Sequence, residues 1–152
     1  MFLMPLSEKE AQLLSYVKQY MQHAEACCAV LRAASGLDFT RVSRFERLAV
    51  LPQKGKVQGL TYAFHGIGCF FKRKGLIIDV DFDMTGGCNA VDELRIWLFV
   101  QDNYPKETYW TQQSIADSMS RLVQQRLLHQ VAREHDEHFY YLGAAPDSEN
   151  RS

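Results

Sequence analysis

Leu13, Leu14, Val17, Met21, Ala24, Cys28 and Leu31 recur every three or four positions, the spacing that gathers apolar side chains on one face of a helix. Ser7 and Glu10 precede this stripe at capping-box spacing, and Gly36 follows it with the residue that best tolerates left-handed backbone. The pattern predicts a long helix over 7–34. Val42, Phe45 and Leu48 fit one face of a short second helix, with Arg41, Arg44 and Arg47 on another. Pro52-Gln53-Lys54-Gly55 reads as a turn.

The period then changes to two. Leu60, Tyr62 and Phe64 alternate with Thr61, Ala63 and His65, and Ile78, Val80 and Phe82 alternate with Asp79, Asp81 and Asp83. These positions define a strand region over 57–83, with the apolar set toward the core and the aspartates on the opposite, solvated face. Lys72-Arg73-Lys74-Gly75 joins two of the strands. A loop of Arg73, Lys74 and Gly75 would set Cys69 opposite Asp79 and bring His65 near Asp83. Gly66 and Gly68 inside a strand imply a bulge or a close approach of two backbones.

Residues 89–142 carry helices and a terminal hairpin. Asn89 could cap a helix running through Val100, although Leu94, Ile96, Leu98 and Val100 also suit a strand; the helix is preferred, and Tyr104-Pro105 ends it. A further helix begins near Thr111, turns Ile115, Met119, Leu122 and Val123 inward, and ends by about Arg126. Leu127 to Val131 and His138 to Leu142 then pair around Arg133-Glu134-His135-Asp136, and the polar tail over 143–152 frays. The expected fold is α+β: one domain over 1–152, with a long N-terminal helix packed on an antiparallel sheet and additional helices from the C-terminal half.

Composition narrows the class. At 152 residues and 47% apolar, the chain can bury a sizeable core, and its 17 basic and 18 acidic residues provide no global field to recruit nucleic acid. No apolar run approaches the roughly 20 residues of a membrane span, and Met1 to Leu6 is too short for a secretory signal. The expectation is a soluble, cytoplasmic protein. The four cysteines show neither a C-x-x-C pair nor a disulfide framework, so buried thiols are expected for all of them.

The chemistry-bearing residues admit more than one reading. Asp79, Asp81 and Asp83 lie about 7 Å apart in successive pairs on one strand face and would repel one another without a cation, basic neighbours, a partner or solvent. They lack the spacing of a calcium loop. His65, Cys69 and these carboxylates invite a nucleophile or metal hypothesis, but an extended strand holds His65 and Cys69 about 13 Å apart. His135-Asp136-Glu137-His138 lacks metal-ligand spacing and reads as a polar turn. Charge is uneven: eight basic residues and only Glu46 on the acidic side fall between Arg41 and Lys74, then five acidic and no basic residues between Asp79 and Glu93. Such asymmetry steers a charged partner or pairs internally. Phe70-Phe71-Lys72-Arg73-Lys74 hints at interleaved aromatic and basic contacts, but a buried phenylalanine beside a charged hairpin tip explains it more cheaply.

His65-Gly66-Ile67-Gly68-Cys69, Ile78 to Asp83 and Leu94-Arg95-Ile96-Trp97-Leu98-Phe99 together resemble an uncharacterised bacterial domain family. Its members carry a Phe-His-Gly-Ile-Gly-Cys segment, an aspartate-rich strand and an Arg-Leu-Trp-like helix. Leu51 to Gly55 and Tyr140-Tyr141-Leu142 add to the likeness, which spans roughly Leu51 to Leu142. Ile96 and Leu98 depart from it only by apolar substitution. Small proteins of this type often neighbour polymorphic toxins, which implies an immunity protein that binds and neutralises a cognate antibacterial toxin acting in the cytoplasm. The expectation is then no enzymatic activity, no cofactor, no metal and no nucleic-acid or membrane partner. The partner-binding residues would be Asp79, Asp81, Asp83, Asp92 and Glu93, facing a basic toxin surface. The alternative is a small enzyme or metal-binding protein using His65, Cys69 and Asp79/Asp81/Asp83.

Overall fold

The computed structural model describes residues 7–38, 44–66, 68–81, 91–132 and 138–145. Its elements run α1 (Glu8–Ser35), α2 (Arg44–Val50), β1 (Lys54–Val57), β2 (Leu60–His65), β3 (Gly68–Arg73), β4 (Leu76–Asp81), α3 (Glu93–Asn103), α4 (Gln112–Gln124), β5 (Leu128–Ala132) and β6 (His138–Leu142). The first four strands form an antiparallel sheet in the order β1-β2-β3-β4, and β5 with β6 forms a separate hairpin. The fold class is α+β, as the pattern of periods implies.

Local chemistry fixes the helix ends. The Ser7 hydroxyl accepts from the Glu10 backbone N–H at 3.1 Å while the Glu10 carboxylate accepts from the Ser7 N–H at 3.2 Å, so α1 begins with a reciprocal capping box. Gly36 closes it in the left-handed conformation at φ 75°. Thr111 caps α4 in the same reciprocal way, through Ser114. The helix at α3 begins later than Asn89, which lies outside the described residues; Asp92 is its cap, accepting from the Arg95 N–H at 2.7 Å.

Two departures from the sequence reading concern the sheet. Lys54-Gly55-Lys56-Val57 is a strand, not a turn, and pairs with β2 across Gln58 and Gly59. The β3–β4 loop is two residues, Lys74 and Gly75, both left-handed at φ 51° and 81°. That is the backbone geometry whose twist matches a tight antiparallel hairpin. A loop one residue shorter shifts every pair: Phe70, not Cys69, stands opposite Asp79, and Cys69 stands opposite Val80.

The register gives the sheet two unlike faces. Leu60, Tyr62, Phe64, Cys69, Phe71, Ile78 and Val80 point inward and join Leu13, Val17, Tyr20, Ala24, Cys27 and Leu31 of α1 in one core cluster. Helices α3 and α4 pack alongside α1, and α3 also packs against β4. The Tyr16 ring packs tilted on Tyr104 and edge-on to Trp110 where α1 meets the α3–α4 connection. Gly68 is required by this packing: a Cβ there would lie 1.8 Å from the Val80 carbonyl oxygen. The glycine-containing segment is thus a close backbone approach, one of the two readings its sequence allows.

The edge of β4 is closed by side chains. Asn103 of α3 accepts from the Ile77 N–H at 2.8 Å and donates to the Ile77 carbonyl at 2.7 Å, while Tyr20 of α1 donates to the Asp79 carbonyl at 2.6 Å. An exposed strand edge recruits other strands, and these contacts satisfy its backbone groups from within the chain. Among the described residues, no helix is long and apolar enough to cross a membrane.

Candidate functional site

The outer sheet face is built of three rows across the strands, the first two being Lys56, Thr61, Lys72 and Ile77, then Lys54, Ala63, Phe70 and Asp79. Phe70 is 49% exposed and Ile77 37%, diagonal neighbours on β3 and the edge strand β4. Lys54, Lys56, Thr61 and Lys72 are exposed around them. The third row holds His65, Gly68 and Asp81. Because Gly68 has no side chain, the His65 ring crosses over β3, lies 4.8 Å from the Phe70 ring, and donates from Nε2 to Asp79 Oδ1 at 2.7 Å.

Asp79 and Asp81 keep the face that alternation assigns them, but they are not solvated. Their side chains are 12% and 15% exposed, because Arg95 of α3 lies against both: its Nε is 3.7 Å from Asp79 Oδ2 and its Nη2 3.6 Å from Asp81 Oδ2. The guanidinium is itself buried, and one cation between two carboxylates offsets the repulsion that their spacing on the strand would create. Asp92 is occupied as the α3 cap. Burial pushes its carboxyl above the ordinary carboxylate value, against the Arg95 amide and charge, and the Asp81 and Asp79 charges push the same way. Glu93 accepts from the Tyr140 hydroxyl at 2.6 Å, tying α3 to β6. Asp83 and Phe82 lie outside the described residues. The four described carboxylates expected to form an open acidic surface are therefore engaged within the fold, and the side chains left exposed on this sheet face are the lysines, Thr61, Phe70 and Ile77.

Cys69 and His65 point to opposite faces of the sheet, so the pairing that a nucleophile or metal site would need is not formed. Cys69 is fully buried, and burial pushes its thiol up to about 12; Cys27, beneath the same sheet, is pushed to about 11. Cys27 and Cys69 are free thiols, as expected, but Cys28 is disulfide-bonded, which corrects the expectation for that residue. Cys88 and the segment Arg133 to Glu137 lie outside the described residues. Among the described residues, no group of three or more His, Cys, Asp and Glu side chains is placed to hold a metal ion. A shallow groove between α1 and the β5–β6 hairpin is lined by Lys18, Met21, Glu25 and His129, which stacks on Tyr141 at 5.1 Å, and it contains none of the predicted site residues.

The sequence assigns no site role to Arg95, Lys54 or Lys56, and Phe70, raised there beside Lys72, is the outward member of the Phe70-Phe71 pair. For the lysines a signal was present: Gln58-Gly59 between Lys54-Gly55-Lys56-Val57 and an alternating strand is a hairpin pattern.

Residues 13–142 match the family described as Domain of unknown function (DUF6896), and the chain belongs to that family. No curated protein and no solved structure matches it significantly.

Proposed function

We propose that this member of the family is an immunity protein, which binds and neutralises a cognate antibacterial toxin acting in the cytoplasm. The observation that supports this reading is the outer sheet face, where Phe70 and Ile77 stand together in contact with solvent. Contiguous apolar groups on an otherwise charged strand surface gain free energy when a partner covers them. Neutralising a toxin by occlusion needs complementary shape and charge, not a catalytic constellation. The proposed partner is accordingly a protein, with neither nucleic acid nor membrane involved and no cofactor, and the chain is not itself an enzyme.

The competing reading, a small enzyme or metal-binding protein, fits the geometry less well. It needs His65, Cys69 and the aspartates to converge, whereas Cys69 sits in the core beneath β3 and Asp79 and Asp81 already hold Arg95. In the reducing cytoplasm the Cys28 bond would open, so the reduced chain is the form that would meet the toxin.

The test is co-expression with the toxin gene that this reading places beside its own. Growth should be rescued, and the two proteins should co-purify as a complex. Absence of both protection and a complex would refute the immunity reading.

A further inference from the structure

We infer that the outer face of the β1–β4 sheet is the docking surface, and that the partner meets it with an acidic protein surface carrying an apolar centre. This deepens the immunity reading, on which the identity of the partner rests, and it reverses the charge expected from the sequence. The sequence pattern points to an acidic strand face meeting a basic toxin. In the fold, Asp79 and Asp81 both lie against the buried Arg95 and Asp79 also accepts a hydrogen bond from His65, whereas Lys54, Lys56 and Lys72 are exposed on the same face.

The residues are arranged as an interface is. Phe70 and Ile77 form an apolar pair on β3 and the edge strand β4, and the lysines flank it on the β1–β3 side, where long flexible cations can keep their heads in water or reach a carboxylate. Opposed charge at such a rim accelerates encounter and rejects wrong partners. The β4 side of the face contributes no free positive charge, so the partner's carboxylates belong over β1–β3, and its apolar groups belong over Phe70 and Ile77.

Single-stranded nucleic acid is the other polyanion that open basic sheets accept, through aromatic stacking. Two observations weigh against it. The face exposes a single phenylalanine with Ile77 beside it, and two carboxylates line its β4 side. The chain's formal charge of −1 provides no long-range attraction for phosphates.

The test needs no toxin, so its failure is separable from failure of the co-expression rescue. Isotope-labelled protein is titrated at low salt with a short peptide of alternating glutamate and leucine and, separately, with a short oligothymidylate. The peptide should shift the amides of Phe70, Lys72 and Ile77, and bind at least about tenfold more weakly to K54E/K56E/K72E, a loss of about 1.4 kcal/mol. The milder K54A/K56A/K72A variant and Phe70→Ala should each weaken binding about threefold or more, with circular dichroism unchanged. No saturable peptide binding, binding indifferent to charge reversal, or tighter binding of the oligothymidylate would each overturn the proposal.

Discussion

Gly68 and Val80 approach so closely across the β3–β4 ladder that a methyl group on Gly68 would overlap the Val80 carbonyl oxygen at 1.8 Å. Both groups belong to paired strands, so neither can move without opening the hairpin. Gly68→Ala should therefore destabilise the protein by about 2–3 kcal/mol or more, at the upper end of overpacking costs. Urea denaturation measures this, and an alanine variant as stable as wild type would contradict the register.

Phe70 and Phe71 are adjacent in sequence and opposite in environment. Phe71 is 1% exposed in the core and Phe70 49% exposed on the outer face. Phe71→Ala should cost about 3–5 kcal/mol, as for a large core truncation. Phe70→Ala should change stability by no more than about 0.5 kcal/mol, as for a surface site. Equal costs from the two melts would mean that the strand is turned the other way.

These two residues also mark where the sequence is legible. Strict alternation separated Ile78 and Val80 from Asp79 and Asp81, and capping chemistry placed both ends of α1, because each signal is local. The β3–β4 register was not readable: Arg73-Lys74-Gly75 suits a three-residue loop, and nothing in the sequence announces that Lys74 adopts φ 51°. Strand β1 was hidden because Lys54-Gly55-Lys56-Val57 holds a single apolar residue. The engagement of Asp79 and Asp81 was hidden for a different reason. Arg95 reaches them only after α3 has packed on β4, a contact between distant segments that no window of sequence contains.

Glu10 makes part of the stability dependent on pH. Burial pushes its carboxyl up, but the Ser7 amide and hydroxyl and the Arg121 guanidinium outweigh burial, so its pKa in the fold lies below the ordinary 4.5. A carboxyl lowered by folding contributes stability that is present above its unfolded pKa and lost as pH falls through the folded one. Arg121 is half exposed, which limits the ion pair to about 1 kcal/mol or less. Glu10→Gln should be less stable than wild type by that amount near neutral pH, and the gap should close under acid. A gap that widens with acid would reverse the sign.

The thiols divide by environment. Cys27 and Cys69, pushed by burial to about 11 and about 12, hold almost no thiolate at mildly alkaline pH. Iodoacetamide should leave both unmodified in the native protein and label both after denaturation, as read by mass spectrometry. Cys28 should respond differently: reduction of its disulfide should remove about 2–4 kcal/mol, seen as a lower melting temperature with reductant. Identical melts with and without reductant would mean that the bond adds nothing to the fold.

Arg95 offers the sharpest test of how α3 is held to the sheet. Its buried guanidinium lies between Asp79 and Asp81 and offsets part of their charge, and both carboxylates are largely shielded from water. Removing the cation leaves two charges with little solvent, the condition under which a broken buried pair becomes expensive. Arg95→Met should cost about 3–5 kcal/mol. Replacing the carboxylates in the same background, as Arg95→Met/Asp79→Asn/Asp81→Asn, removes the orphaned charges and should restore at least about 1 kcal/mol, a coupling that a melt resolves. The Asp79→Asn/Asp81→Asn double variant alone should be destabilised, since it strands Arg95 instead. If Arg95→Met melted like wild type, or if the amides gave no recovery in its background, the ion cluster would not be what fastens α3 to β4. The exposed lysine face would then need another explanation for its freedom from the neighbouring aspartates.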